Sequence, residues 1–442
     1  MNCYDRHYLK IALPAALEGL FMILLASTDL ILVGALGSLS VAAVSIFLQP
    51  RLILLCFSRS LASAVTLAAC NHAGSGDRER SADLLKKSLV IGALLMGVLH
   101  MLFFYFLEDI FLLMGASADY LPLAMEYGPM ALLAVYFTSL TLILQAVLLG
   151  YGDTSSIMKT NISGNLLNAC LSFVLIRGLG PVPAFGVAGA AFGTAAGTLF
   201  SLLYSYYLLE REGFFHGGRW MPDRAYFKKV GPLFASVLSE QGSERIGMVL
   251  FSRMAAGLGT VPFAVHSICM NICDVYYDFI MGFGKAGMVT AGQAVGRGSM
   301  ADWDHYRRTG LFWCLILSTA ACGITLAFAH PIFVFYSPDP SLLPLASVIM
   351  VFIAFVSYPE ALALWGAGIL RGSGAAPQVA AYSFVSITFL RPLVTAFFIY
   401  GLDMGLVGTW CALFLDQVIR ASCASFLVNR LAVKRGFLPD AG

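Results

Sequence analysis

Long apolar segments run through nearly the whole chain, and a few carboxylates lie inside them. The composition is 59% hydrophobic and only 12% charged, with a mean hydropathy of +0.81. A soluble domain of this size needs a larger polar surface, and a membrane-spanning helix takes about 20 apolar residues. The chain is therefore predicted to be an all-α membrane protein with twelve transmembrane helices. The predicted spans are 11–35, 42–70, 84–107, 122–148, 155–180, 186–209, 230–256, 262–291, 309–334, 344–369, 376–400 and 404–430.

The basic residues predict the orientation of these spans. Nineteen of the 27 Lys and Arg residues fall in connections on one side, whereas Arg177 is alone on the other. Because cytoplasmic loops carry the excess of basic residues, both termini are expected in the cytoplasm and the protein in the plasma (inner) membrane. A net charge of +2 gives no reason to expect a nucleic-acid partner.

The two halves of the chain resemble each other. The displacement that places Glu18 on Glu240, called the repeat shift below, also places turn-type glycines on one another at several separated positions, which indicates a structural repeat. We expect an N-terminal six-helix lobe over 1–209, a cytoplasmic linker over 210–229 and a C-terminal six-helix lobe over 230–442. An even number of helices makes the repeats parallel, so the substrate path is expected between them. The aligned glycines are Gly37/Gly259, Gly74/Gly296, Gly76/Gly298, Gly150/Gly372 and Gly152/Gly374.

Carboxylates inside the predicted spans are the first candidates for function, because a charge in hydrocarbon is costly and usually marks an ion or substrate path. Asp29 can exchange a proton for a cation, and this role is favoured over the alternative of a salt bridge to an intramembrane Arg. Glu240 and Glu244 share a helical face, and one of them is expected to couple ions. Glu360 follows Pro359, which frees a backbone carbonyl that suits a hard cation such as Na⁺.

For other intramembrane side chains, the sequence gives weaker evidence of a functional role. Asp274 and Asp278 form a second pair four residues apart, with Lys285 on the same face, and we expect them mainly to neutralise buried bases. Aromatic faces attract organic cations, so Tyr136, Tyr276 and Tyr277 are expected to line the substrate path. No ATP-binding motif is present, and no enzyme activity or cofactor is expected.

Several segments resemble the multidrug and toxic compound extrusion (MATE) transporters, in matching order and over essentially the whole chain. The first is Leu13-Pro14 followed by Asp29 and Leu36-Gly37. The others are 150–153 leading to Asn165-Leu-Leu-Asn168, the stretch 360–374, and Ala264-Val-His266-Ser-Ile268.

This resemblance implies a two-lobe antiporter that expels organic cations or drugs in exchange for Na⁺ or H⁺. Asp29 matches the family's first-helix acid, in an ion-coupling or substrate-binding role, and Glu360 matches the tenth-helix acid. The family's seventh-helix acid corresponds to Glu244 when positions are counted back from Leu258-Gly259. It corresponds to Glu240 when they are counted forward from Pro232. Proton-coupled relatives carry an Asp four residues after the fifth-helix Asn; here Asn168, kept as an ion-coupling candidate, is followed by Ser172.

The coupling ion and the exact class of transporter stay open at this point. Na⁺ is expected, bound by Glu360 with Glu244 or Glu240, because the second acid of the proton site is missing. The alternative function is a lipid-linked oligosaccharide flippase of the same broader superfamily, which usually needs a more cationic cavity. The expected partners are small organic cations and membrane lipids, and the protein is expected to act as a monomer.

Overall fold

The computed structural model describes residues 2–34, 36–178, 183–337 and 339–434, without the side chains of 24–31 and 38. These described residues form helices and connections, with no β-strand. The first half contains α1 (Cys3–Gly34), α2 (Ser38–Ser45), α3 (Leu48–Ser75), α4 (Arg78–Tyr105), α5 (Leu107–Leu113), α6 (Leu121–Gly150), α7 (Thr154–Arg177) and α8 (Gly186–Arg211). The second contains α9 (Arg224–Ala256), α10 (Thr260–Arg297), α11 (Met300–Ala327), α12 (Ala329–Tyr336), α13 (Leu343–Gly372), α14 (Ala376–Phe384), α15 (Arg391–Ala396) and α16 (Gly405–Lys434). Two π-helical segments, Val385–Leu390 and Phe397–Gly401, flank α15, and a 3₁₀ turn, Pro340–Leu342, precedes α13.

The predicted all-helical membrane fold is confirmed. Among the described residues, eight helical segments are long and apolar enough to cross a membrane. The α7, α9 and α10 helices fall outside that group and carry polar or charged residues in mid-helix, among them Asn168, Glu244 and Asp274. With α1, these helices and the eight apolar segments correspond to the twelve spans read from the sequence.

The predicted repeat appears in the helix bounds. The repeat shift carries the start of α4 onto that of α11, and both ends of α6 onto those of α13. Glycines adopt matching left-handed conformations where the shift places them, because a positive φ is strained for any residue with a Cβ. The pairs are Gly37 (φ 108°) with Gly259 (φ 104°), Gly76 (73°) with Gly298 (70°), and Gly152 (81°) with Gly374 (88°).

The chain divides into two compact units, defined by internal packing. The N-terminal unit is Leu17–Phe234, and the C-terminal unit combines Ala235–Gly442 with Met1–Ala16. This division differs from 1–209, 210–229 and 230–442 because the first residues pack against α10 and α11. Tyr8 is fully buried and its hydroxyl donates to the carbonyl of Phe283 at 2.7 Å, and Tyr4 donates to Asp302 at 2.8 Å.

The polar connection between the halves packs on the first turns of α4 within the N-terminal unit. Lys87 donates to Asp223 at 2.9 Å, and the backbone N–H of Arg219 donates to Asp83 at 2.7 Å. Tyr226 donates to Ser88 at 3.1 Å. The hydrogen bond from Lys87 lowers the pKa of the Asp223 carboxyl below its usual range. The connection is therefore held by specific contacts along its length.

Candidate ion-coupling site

Glu360 is an acid enclosed by the C-terminal unit. It lies in the middle of α13 and is 4% exposed. Its Oε2 atom has no hydrogen-bond partner among the described residues. Pro359 lacks an N–H and therefore leaves the carbonyl of Phe355, one turn earlier, without its helical partner. The buried carboxylate oxygen and the freed carbonyl thus belong to the same helix, at residues 360 and 355.

Two further acids lie around Glu360. The carboxylate of Asp274, on α10, lies near enough to that of Glu360 for their charges to repel. The carboxylate of Glu244, on α9, repels that of Asp274 in the same way. Glu244 is half-buried and Asp274 is exposed, so the cluster runs from an accessible side to a buried end at Glu360. Like charges gathered at this depth are unfavourable unless a cation or proton neutralises them.

One base belongs to the same cluster. The guanidinium of Arg420, on α16, is within electrostatic reach of Glu244 and Glu360. Its Nε atom is buried without a hydrogen-bond partner, and it forms no ion pair among the described residues. Arg391 also acts electrostatically on Glu360 but is paired with Asp416. The acid cluster of Glu244, Asp274 and Glu360 is therefore accompanied by Arg420 as a base without an ion pair among the described residues.

Two neighbouring acids are neutralised by built-in partners. Glu240 forms an ion pair with Arg371 of α13 at 2.5 Å and accepts a hydrogen bond from Ser383 at 3.5 Å. Asp416 forms an ion pair with Arg391 and accepts from Ser386 at 2.5 Å. Glu244, in contrast, has no ion pair or hydrogen bond among the described residues. The two acids that share a face of α9 thus have different electrostatic environments.

The tyrosines expected to line the substrate path fall in different places. Tyr277 is within electrostatic reach of Glu244 and Glu360, beside the acid cluster. Tyr276 is within reach of Glu360 and forms a 2.9 Å hydrogen bond with Ser318. Tyr136 belongs to the N-terminal unit, where it lines an apolar groove of about 740 Å³ between α4 and α6. No contact described for Tyr136 joins it to a carboxylate.

The N-terminal candidates are only partly described. The side chain of Asp29 lies outside the described residues, although its backbone is helical. Asn168 is 6% exposed and accepts a hydrogen bond from Ser172 at 2.9 Å. Ser172 thus occupies the position where the family's proton site has an Asp, and it makes an intrahelical contact there.

The sequence interpretation missed two members of the cluster. Asp274 is expected mainly to neutralise a base. In the structure, the charged groups that act most strongly on its carboxylate are two other acids, Asp278 and then Glu244. Arg420 is one of the intramembrane bases that acids in the spans are expected to neutralise, but it forms no ion pair among the described residues. The four-residue spacing of Asp274 and Asp278 is visible in the sequence, whereas the proximity of Asp274 to Glu360 depends on the packing of α10 against α13.

The cluster does not form a ready cage for a multivalent metal. Among the residues that the structure describes, no three His, Cys, Asp or Glu side chains lie close enough together to hold a metal ion.

Comparison with known proteins places the chain in a family of membrane transporters. The MatE family model matches residues 14–174 and 232–397, so the chain belongs to the MatE family, the multidrug and toxic compound extrusion transporters. It is 26% identical over 450 residues to a probable multidrug resistance protein NorM of Rhizobium meliloti (strain 1021), covering 97% of this chain and 93% of that protein. It is 24% identical over 432 residues to the multidrug resistance protein MdtK of Pectobacterium atrosepticum, covering 95% and 93%.

Solved structures agree on the fold. A crystal structure of MATE in the bent conformation superposes with a TM-score of 0.88 at 20% identity, over 98% of this chain and 96% of that one. An outward-facing multidrug resistance MATE transporter of the MOP superfamily gives a TM-score of 0.88 at 20% identity, over 98% and 97%. The two-repeat MATE fold predicted from the sequence is confirmed.

Proposed function

We propose that this protein is a multidrug efflux transporter that exports organic cations in exchange for Na⁺ or H⁺ by alternating access. The observation that carries the proposal is the acid cluster of α9, α10 and α13, which ends at the buried, unsatisfied oxygen of Glu360. The multidrug resistance proteins among its relatives support the substrate class. The relatives described above are named multidrug resistance proteins, so efflux is preferred over the flippase alternative.

Glu360 and Glu244 are the proposed coupling residues. A group that exchanges ions must lack a permanent counter-charge, and Glu240 has one in Arg371. Glu244 has no such partner among the described residues, so it is preferred over Glu240 as the seventh-helix acid. Asp274, which is accessible and within reach of both, is proposed to attract the cation as it enters.

Na⁺ is the coupling ion that we propose first. It prefers carboxylate and carbonyl oxygens, and both are available near Pro359, whereas Ser172 replaces the second acid of the family's proton site. A carboxylate can equally release and take up a proton, so H⁺ stays the competing ion. For Asp29, and for Asn168 of the N-terminal unit, the resemblance to the family supports a coupling or substrate-binding role.

Ethidium transport by the purified protein in liposomes tests this function. Vesicles with an imposed Na⁺ gradient, an imposed H⁺ gradient or neither are compared with protein-free vesicles. We expect ethidium movement against its own gradient when the Na⁺ gradient is present. If neither gradient drives ethidium beyond the protein-free rate, multidrug antiport is contradicted; if only the H⁺ gradient does, the choice of Na⁺ is wrong.

A further inference from the structure

The N-terminal unit also contains an intramembrane acid that has no cationic partner among the described residues. Glu18 of α1 is half-buried and accepts a hydrogen bond from the side-chain amide of Asn161 on α7. Asn161 is paired with Gln145 of α6: Gln145 Nε2 donates to its Oδ1 at 2.8 Å, and Asn161 Nδ2 donates to Gln145 Oε1 at 3.2 Å. Among the described residues Glu18 has no ion pair, and its carboxylate contacts the neutral amide of Asn161, which Gln145 in turn holds.

The repeat provides a direct comparison for this acid. The repeat shift places Glu18 on Glu240 and Asn161 on Ser383, and each acid accepts a hydrogen bond from its partner. The C-terminal unit adds Arg371, whose guanidinium pairs with Glu240 at 2.5 Å. The position equivalent to Arg371 is Leu149, which is apolar.

The two sites are equivalent in packing as well as in sequence. In the N-terminal unit, Asn165 contacts the sulfur of Met22 at 3.2 Å, across a separation of 143 residues. In the C-terminal unit, Arg391 contacts the sulfur of Met248 at 3.2 Å across the same separation of 143 residues, one helical turn beyond the positions on which the repeat shift places Asn165 and Met22. Each acid and its hydrogen-bonding partner are also 143 residues apart. The helices therefore pack in the same register in both units.

The surroundings of Glu18 suit an amphipathic cation. Leu17, Phe21 and Met22 are 41%, 44% and 37% exposed on the same part of α1. An aromatic ring attracts a cation through its face, and a thioether adapts to varied apolar shapes. A carboxylate next to such side chains can bind a charged head group while they contact its apolar body.

We propose that Glu18, with Asn161 and Gln145, binds the guanidinium or ammonium head group of a transported organic cation. The ligand's head group takes the place that the guanidinium of Arg371 fills in the C-terminal unit. A buried carboxylate is costly without a counter-charge; the protein supplies that charge at Glu240 and leaves it to the substrate at Glu18. This inference rests on the proposed function, because it assigns a substrate site to the exporter.

Equilibrium binding tests the site without any gradient. Radioiodinated 3-iodobenzylguanidinium is bound to the full-length protein in detergent, with the uncharged 3-iodobenzylurea as the competing control. We expect Glu18→Gln to weaken binding at least tenfold. Leu149→Arg, which introduces the counterpart of Arg371, should weaken it equally, whereas Leu149→Met and Glu126→Gln, the latter at an exposed acid, should stay within twofold of the unmodified protein.

The outcomes separate this site from the proposed function. Unchanged binding by a well-folded Glu18→Gln protein, checked by gel filtration and melting temperature, overturns the proposal whatever Leu149→Arg does. A Glu18→Gln protein that keeps its affinity but changes the pH dependence of efflux also overturns it, because Glu18 would then exchange protons. If binding requires Glu18 but no gradient drives efflux by the unmodified protein, the site stands and antiport fails.

Discussion

At the scale of single residues, the partner of each intramembrane acid is more informative than its position. Glu240 and Glu244 are one turn apart on α9, yet one is paired with Arg371 and the other has no described partner. An acid held by a guanidinium contributes mainly to stability, because releasing it leaves two buried charges unpaired. An acid without a partner is available to a mobile ion.

Substituting the two α9 acids separately should therefore give opposite results. Glu240→Gln leaves Arg371 without its counter-charge, so we expect a loss of about 3 kcal/mol in stability, the low end for a buried pair because the Arg371 side chain is 28% exposed. This loss should be seen as a lower melting temperature in detergent. Glu244→Gln should melt close to the unmodified protein but lose most gradient-driven ethidium transport. If Glu240→Gln melts normally and it alone abolishes coupling, the assignment of Glu244 is reversed.

The residues also show what could be predicted from the sequence. Glu360 could be singled out, because an ionisable side chain in a long apolar segment is evident from local sequence alone. The difference between Glu240 and Glu244 could not, since it depends on Arg371, which lies 131 residues after Glu240. The same reason explains why Asp274 was placed among the neutralising acids: its effect on Glu360 arises from tertiary packing.

At the scale of elements, the connection between the halves is a structured part of the N-terminal unit. Its contacts with α4 come from acids and backbone groups that a composition-based interpretation treats as solvated. The sequence located this segment by its charge and glycine content, but whether it packs depends on Lys87 and Ser88 in the first turns of α4.

Removing one of these contacts should release the connection. We expect Asp223→Asn to increase hydrogen exchange in residues 212–223 at pH 7, because the charge-assisted bond from Lys87 is lost. Asp153→Asn, which removes the negative charge of the side chain that caps the start of α7, should leave that segment unchanged. Equal exchange in the Asp223→Asn and unmodified proteins would show that Asp223 does not hold the connection.

The same contact predicts an acid dependence. The pKa of Asp223 is lowered in the folded protein, so its contribution is present above the ordinary Asp pKa of about 3.9 and is lost as the pH falls through the folded value. Cleavage by pepsin near Phe214 and Phe215 should therefore increase only at strongly acidic pH. In Asp223→Asn that additional increase should be absent.

At the scale of the whole molecule, repeat and asymmetry occur together. Helix bounds and turn glycines recur with the repeat shift, and these were predictable because apolar length and glycine position are local signals. The packing of residues 2–16 with the C-terminal unit was not predictable in this way, since Tyr8 and Phe283 are 275 residues apart. Charged residues differ between the units even where the backbone repeats.

Membrane orientation is a property of the whole chain and can be measured directly. The positive-inside rule predicts that the connection 210–229 faces the cytoplasm and the start of α6 faces outward. In a protein without its native cysteines, Ser117→Cys should react with an impermeant thiol reagent on intact cells, whereas His216→Cys should react only after lysis; both positions are exposed. The reverse pattern would invert the orientation.

The acid cluster ending at Glu360 is proposed to couple an ion gradient to export. The most direct measurement compares the unmodified protein, Glu360→Gln and Glu126→Gln in liposomes, by ethidium transport driven by a Na⁺ or H⁺ gradient and by ethidium exchange without a gradient. We predict that Glu360→Gln loses gradient-driven transport at least tenfold while keeping exchange, and that Glu126→Gln keeps both. Gradient-driven transport by Glu360→Gln at the unmodified rate would contradict the claim.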